Sequence, residues 1–379
     1  MIITQHKTRL NIVFTLVITL LSLVLIFMPT GYENPIVKQN SLRVKAEVLK
    51  VDNSSLQQSG IVFTGSQSLQ LKILSGKFKS HTVTAENILT GQKRLDRIYN
   101  PEDKILAVII PSQDNSEILS ARAQSIYRIN IEIVLFSLFA LFLVAFAGWT
   151  GFKALLSFVF TALAIWKILI PLFLAGFPPL ATALLIITLI TTTIILLIAS
   201  FTKKALVALT GSISGIGLTS LLSVIFGYWL KIPGTVQEFS ETILYAGFHK
   251  LSITDIFLSG IFISASGALM DIAMDIAASQ QEIKHKRPDI QTKELIISGF
   301  TIARPVIGTM TTTLLFAYSG SFMFTFMAFM AKGTPLIVFL NTNYIAAEIL
   351  QTLVGSFGLV LVAPFTAIIG GIVYCHKFT

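Results

Sequence analysis

Pro179-Leu-Ala-Thr-Ala-Leu-Leu-Ile-Ile-Thr-Leu-Ile-Thr-Thr-Thr-Ile-Ile-Leu-Leu-Ile-Ala-Ser-Phe201 carries no charged residue. About 20 apolar residues in a helix cross the hydrocarbon core of a bilayer, so this stretch reads as a membrane span. Working outward, runs of similar length and character occupy 11–28, 130–149, 152–174, 205–230, 253–278, 295–330 and 344–374. With 179–201 they predict a membrane all-α helical bundle of about eight transmembrane helices. The runs 295–330 and 344–374 are long enough to call for tilt, a break or a re-entrant portion. Composition points the same way. The chain is 54% hydrophobic and 12% charged, about half the charge of an ordinary soluble domain.

Residues 29–128 differ abruptly. They hold 13 of the 28 basic residues. Leu42, Val44, Ala46 and Val48 alternate with Arg43, Lys45, Glu47 and Leu49, and Leu69, Leu71 and Ile73 with Gln70 and Lys72. A period of two broken by Ser-Gly and Asn-Pro turns predicts strands, hence a small extracytoplasmic antiparallel β barrel or sandwich. Ile118–Tyr127 reads as a helical lead back to the bundle. The predicted organisation is 1–28, a cytoplasmic N-terminus and first transmembrane helix; 29–128, the β-rich domain; and 129–379, the helical membrane domain. The lone cysteine, Cys375, allows no intrachain disulfide, so the β domain must hold by its own core. The first apolar run is long for a signal peptide and no A-x-A site follows it, so an uncleaved helix is expected.

The net charge of +9 fits anionic lipid headgroups. With no basic patch interleaved with aromatics, nucleic acid is excluded. With the N-terminus inside, Lys7, Arg9, Lys153, Lys203, Lys204, Lys284, Lys286, Arg287, Lys293 and Lys377 are cytoplasmic. Only Lys231, Lys250 and Lys332 lie in short outer loops. That asymmetry predicts a multi-pass protein of the cell membrane with both termini cytoplasmic.

Charged side chains inside spans are costly and tend to be functional. Asp271 and Asp275, four residues apart, share one helix face. Arg304 lies at a depth matching that of Asp271, about 10–13 Å from the cytoplasmic end by helix rise. These three, with Thr309 and Thr311 beside Arg304, are the candidate transport or coupling residues. Lys167 and Glu348 share a depth near the outer surface and are expected to form an ion pair. Gly211, Gly215, Gly260, Gly267 and Gly308 are small residues suited to close helix packing. The sequence contains no His-Glu-x-x-His, Gly-x-Gly-Asp or Walker A motif. Its histidines, His6, His81, His249, His285 and His376, all fall outside the spans. No enzyme, metal or cofactor is expected.

Gly267-Ala-Leu-Met-Asp-Ile-Ala-Met-Asp275, followed by Ala277-Ala-Ser279, Glu282, Ser298-Gly299, Arg304, Gly308-Thr-Met-Thr311 and Leu314-Leu-Phe-Ala-Tyr-Ser-Gly320, resembles the YibE/F-like family of bacterial membrane proteins. Pro305 stands where that pattern implies an acidic residue. The resemblance implies a related YibE/F-type subunit as a partner, in a hetero- or homo-oligomer, besides the lipid bilayer. Two functions remain in view. One is a gradient-driven permease or export component for a small solute, with Asp271 in proton or ion coupling. The other is a non-transporting membrane scaffold whose β domain binds cell-envelope partners.

Overall fold

The computed structural model of the chain describes residues 2–32, 41–112, 114 and 116–376, with side chains from Arg9 onward apart from Ser321. Lys7 and Lys377, counted above, fall outside those side chains. The chain divides into two compact units, residues 31–142 and residues 1–30 with 143–379.

The smaller unit is built on six strands, β1 (Leu42–Asp52), β2 (Leu56–Ser59), β3 (Val62–Ile73), β4 (Thr82–Thr90), β5 (Lys104–Pro111) and β6 (Ile118–Ile126). Their order is β1-β5-β6-β4-β3-β2, and β1 also pairs with β3, which closes the sheet into a barrel. β2 is a short hairpin arm on β3. Without that arm the five-stranded connectivity is that of an OB-fold barrel. All pairings are antiparallel except β4 with β6, a departure from the all-antiparallel expectation. Val44, Ala46, Val48, Leu69, Leu71 and Ile73 point into the core with Ile105, Ala107 and Ile109, as the period-two pattern requires. Ile118–Tyr127 is not a helix: Ile118–Ile126 is β6, paired to β5. Its buried residues are the small Ala121 and Ala123, so its alternation carries little hydrophobic contrast.

Ten α-helices appear among the described residues: α1 (Ile2–Phe27), α2 (Ile129–Ala164), α3 (Ile170–Leu174), α4 (Pro179–Ala199), α5 (Lys203–Trp229), α6 (Ser240–Tyr245), α7 (Ile253–Lys286), α8 (Thr292–Ala331), α9 (Leu336–Asn341) and α10 (Asn343–Cys375). Seven stretches are long and apolar enough to cross a membrane, against the eight expected. The difference lies at Gly148. Runs 130–149 and 152–174 form one helical stretch, Ile129–Leu174, broken where Gly148 takes φ 55°, ψ −129°. A Cβ on Gly151 would collide with the Leu143 carbonyl, so the chain doubles back there. A π-helical turn, Ile165–Leu169, follows. α8 and α10 run unbroken through Pro305 and Pro364.

α7 is central. Phe262, Leu269, Ile272, Ala273 and Ile276 of α7 meet Ile186, Ile187 and Ile190 of α4, Ile216 of α5, Ala303 of α8, and Leu359 and Val362 of α10. The Ser252 hydroxyl caps α7 by accepting from the Asp255 amide at 3.3 Å, and Thr202 caps α5 on Ala205 at 3.2 Å, each satisfying an otherwise orphaned donor. Large apolar side chains such as Leu16 and Leu20 of α1, Phe316 and Phe324 of α8 and Phe357 of α10 stay exposed. Apolar surface on this scale fits a membrane protein.

Candidate functional site

α7 buries most of its circumference, yet Gly260, Ser264, Gly267, Asp271 and Asp275 all remain exposed. Steps of three and four put them on one stripe. A Cβ at Gly260 or Gly267 would meet nothing within 4 Å. Within this chain these two glycines meet no other helix, and neither does Gly308 of α8, which is equally open. Gly211 and Gly215 do: a Cβ there would run into Thr366 and Val362 of α10. Sequence reading missed their counterparts Gly355, Gly358 and Gly370 on α10. A Cβ on these would meet Leu314, Thr219 and Gln280.

Asp271 and Asp275 share the open stripe, as their spacing predicts. Arg304 does not join them: it is exposed, and no ion pair links it to Asp271. Depth fixes height but not azimuth. Ala303 is buried and Ile307 also packs inward against the α7 core. Arg304 is turned about 100° from Ala303 by helix geometry, away from the shared face. The Thr309 hydroxyl donates to the carbonyls of Pro305 (3.3 Å) and Val306 (3.0 Å), and Thr311 donates to Ile307 at 2.9 Å. Both are satisfied within their own helix.

The expected Lys167–Glu348 pair does not form either. Lys167 lies in the π-helical turn. Its amine donates to the Met28 carbonyl, just past α1, at 2.8 Å, and sits 4.5 Å from the centroid of the Trp166 ring. Glu348 is on α10, which packs chiefly on α5, α7 and α8. Equal depth on helices that are not neighbours makes no contact.

Beyond Ser264 the stripe meets a polar chain that sequence reading did not assemble. The Ser264 and Tyr318 hydroxyls are 2.9 Å apart, and the Gln351 amide donates to Ser264 at 3.4 Å. Gln351 and Gly260 line a recess of about 350 Å³ with Gln237, Glu238 and Ser240 from the 230–252 connection. At the other end of α7, Gln280 is fully buried. Its amide donates to the carbonyls of Leu295 (3.0 Å) and Ala367 (2.9 Å), tying α7 to α8 and α10. Only the 3.6-residue spacing of the small and acidic residues signalled the stripe in the sequence. Gln351 and Tyr318 come from other helices and carried no such signal.

No curated protein and no solved structure matches the chain. The description of the YibE/F family N-terminal domain matches residues 33–126. That of the YibE/F-like protein matches residues 135–376, most of the helical bundle together with the stripe. The chain belongs to the YibE/F-like family.

Proposed function

We propose that the chain is a multi-pass protein of the cell membrane, both termini cytoplasmic, that acts as a gradient-driven permease or export component for a small solute. In this reading it performs no covalent chemistry. Asp271 exchanges a proton or ion, and Asp275, nearer the cytoplasmic end, hands it on. One observation carries the reading: the central helix of an apolar bundle leaves a stripe of small residues and two carboxylates open. A carboxylate at hydrocarbon depth is costly unless it is partnered, hydrated or protonated. A helix face that needs water along its length, lined by residues too small to fill it, is what a translocation route requires. In this reading the break at Gly148 divides residues 129–174 between two crossings, which would give an even number and leave the basic residues on one side. A second copy or a related YibE/F-type subunit over Gly260 and Gly267 would shield the stripe from lipid.

Vesicles containing the purified protein and an enclosed pH dye test the coupling role. Under an imposed pH gradient, wild-type vesicles should acidify faster than protein-free ones. Asp271→Asn should abolish the difference and Asp275→Asn should reduce it, with insertion unchanged. Equal rates for wild type, Asp271→Asn and protein-free vesicles would remove the coupling role. The scaffold reading draws support from the barrel, where Val108, Ile110 and Leu119 line an open recess of about 830 Å³ with Glu86 and Arg122.

A further inference from the structure

Glu348 sits near the start of α10 with only 8% of its surface exposed, and its Oε2 has no hydrogen-bond partner. A buried carboxylate left without a donor is expensive. The basic residue that sequence reading paired with it, Lys167, is committed to the Met28 carbonyl. Glu348 lines two recesses. One, of about 410 Å³, is lined by Gln237, Glu238, Thr325 and Tyr344. The other, of about 240 Å³, is almost wholly apolar, with Leu315, Phe326 and Leu353. Phe322 borders both.

We infer that Glu348 is the anionic pole of a binding site for a small organic monocation, an ammonium-bearing solute with an apolar body. This rests on the permease reading and names the solute class for it. No Lys or Arg is among the described residues lining either recess, so the cationic complement left for Glu348 is a ligand's. An ammonium group there would lie among Glu348, Gln237, Thr325, Phe322 and Tyr344, and aromatic rings attract a cation. The apolar recess beside it accepts the solute's hydrocarbon part. Volumes of this size suit a small molecule. A divalent metal is disfavoured: no group of three His, Cys, Asp or Glu side chains among the described residues is placed to hold one. The site also leads onward. Gln237 and Glu238 border the recess that Gly260 and Gln351 line. Gln351 and Tyr318 both reach Ser264, from which the open stripe runs to Asp271.

The test uses the purified full chain in lipid nanodiscs, with phenethylammonium as probe and phenethyl alcohol as its neutral counterpart. Calorimetry should show wild type binding the cation and not the alcohol. Glu348→Gln should weaken cation binding by at least about tenfold, as loss of one buried charge partner does. Binding is read with no pH gradient and no transport, which separates this inference from the coupling role. Should Glu348→Gln fail to fold, Thr325→Cys in a Cys375→Ser background replaces it. A cationic methanethiosulfonate should then react faster than an anionic one of similar size, and phenethylammonium should protect. Equal binding of amine and alcohol, undiminished binding by Glu348→Gln, or equal reaction rates with no protection would overturn the assignment.

Discussion

Gln280 and Gly370 should be energetically coupled, and the structure sets the size of the coupling. Gln280 is fully buried, and its amide nitrogen bonds the carbonyls of Leu295 and Ala367. A Cβ on Gly370 would occupy the place of Gln280 Oε1, with Val207 also in reach. Gln280→Ala removes two hydrogen bonds, each worth about 0.6–1 kcal/mol within an apolar bundle. It also leaves a cavity, and truncating a fully buried side chain costs about 2–4 kcal/mol in all. The carbonyls belong to helices α8 and α10 and keep their helical amide donors, so no orphan acceptor adds to the cost. Oε1 has no partner, so its removal costs nothing in bonding. Gly370→Ala forces that oxygen into a packed interior, an overpacking cost of about 1–3 kcal/mol.

In the double variant the new Cβ enters the space Gln280 has left. The loss should therefore fall short of the sum of the single losses by about 1–2 kcal/mol, within the range of about 0.5–3 kcal/mol for residues in contact. Reversible unfolding in mixed micelles, followed by denaturant midpoint for all four chains, measures it. Additivity within about 0.5 kcal/mol would refute the close packing of Gln280 on Gly370 and the three-helix tie built on it.

Gly148→Ala should destabilise the bundle by about 1–3 kcal/mol. A Cβ there would meet nothing within 4 Å, so the whole effect comes from the φ of 55°, and an unchanged midpoint would remove the break. Asp114 should titrate at about 2, held below the usual 3.8 by hydrogen bonds from the Ser112 and Ser116 hydroxyls. A depressed carboxyl contributes loop stability above pH 3.8 that is lost as pH falls through about 2. Ser112→Ala should raise the midpoint read by carboxyl carbon NMR. For topology, Ser54→Cys should react with an impermeant thiol reagent in intact cells while Ser279→Cys does not. The reverse pattern would invert the assignment.

The strands with strong contrast between faces were legible from sequence. In β1 and β3, Val44, Val48, Leu69 and Leu71 alternate with side chains that, Leu49 apart, are charged or polar, and all four are buried. β6 was not legible, because alanines do the inward packing and a period of two in small residues looks like nothing in particular. Most spans were legible too, since length and hydropathy decide them locally. The turn at Gly148 was misplaced by a few residues, at Gly151, because a tight reversal needs only one residue with positive φ and no polar loop to advertise it.

The polar groups expose a deeper limit. Counting residues from a helix end gives the height of a side chain, and heights alone paired Asp271 with Arg304 and Lys167 with Glu348. Contact also needs neighbouring helices and the right rotation, and these depend on packing across the whole bundle. Where one helix carries the pattern, height and rotation come together. Asp271 and Asp275 share a face because 3.6 residues make a turn, and the same rule extends the face through Gly267, Ser264 and Gly260. Gly260 and Gly267, expected to pack against a helix, are covered by none within this chain. Glu348 shows the converse. It lines recesses shared with α8 and the 230–252 connection, neither of which its own helix can announce. With Lys167 committed to the Met28 carbonyl, the Glu348 Oε2 is left without a hydrogen-bond partner.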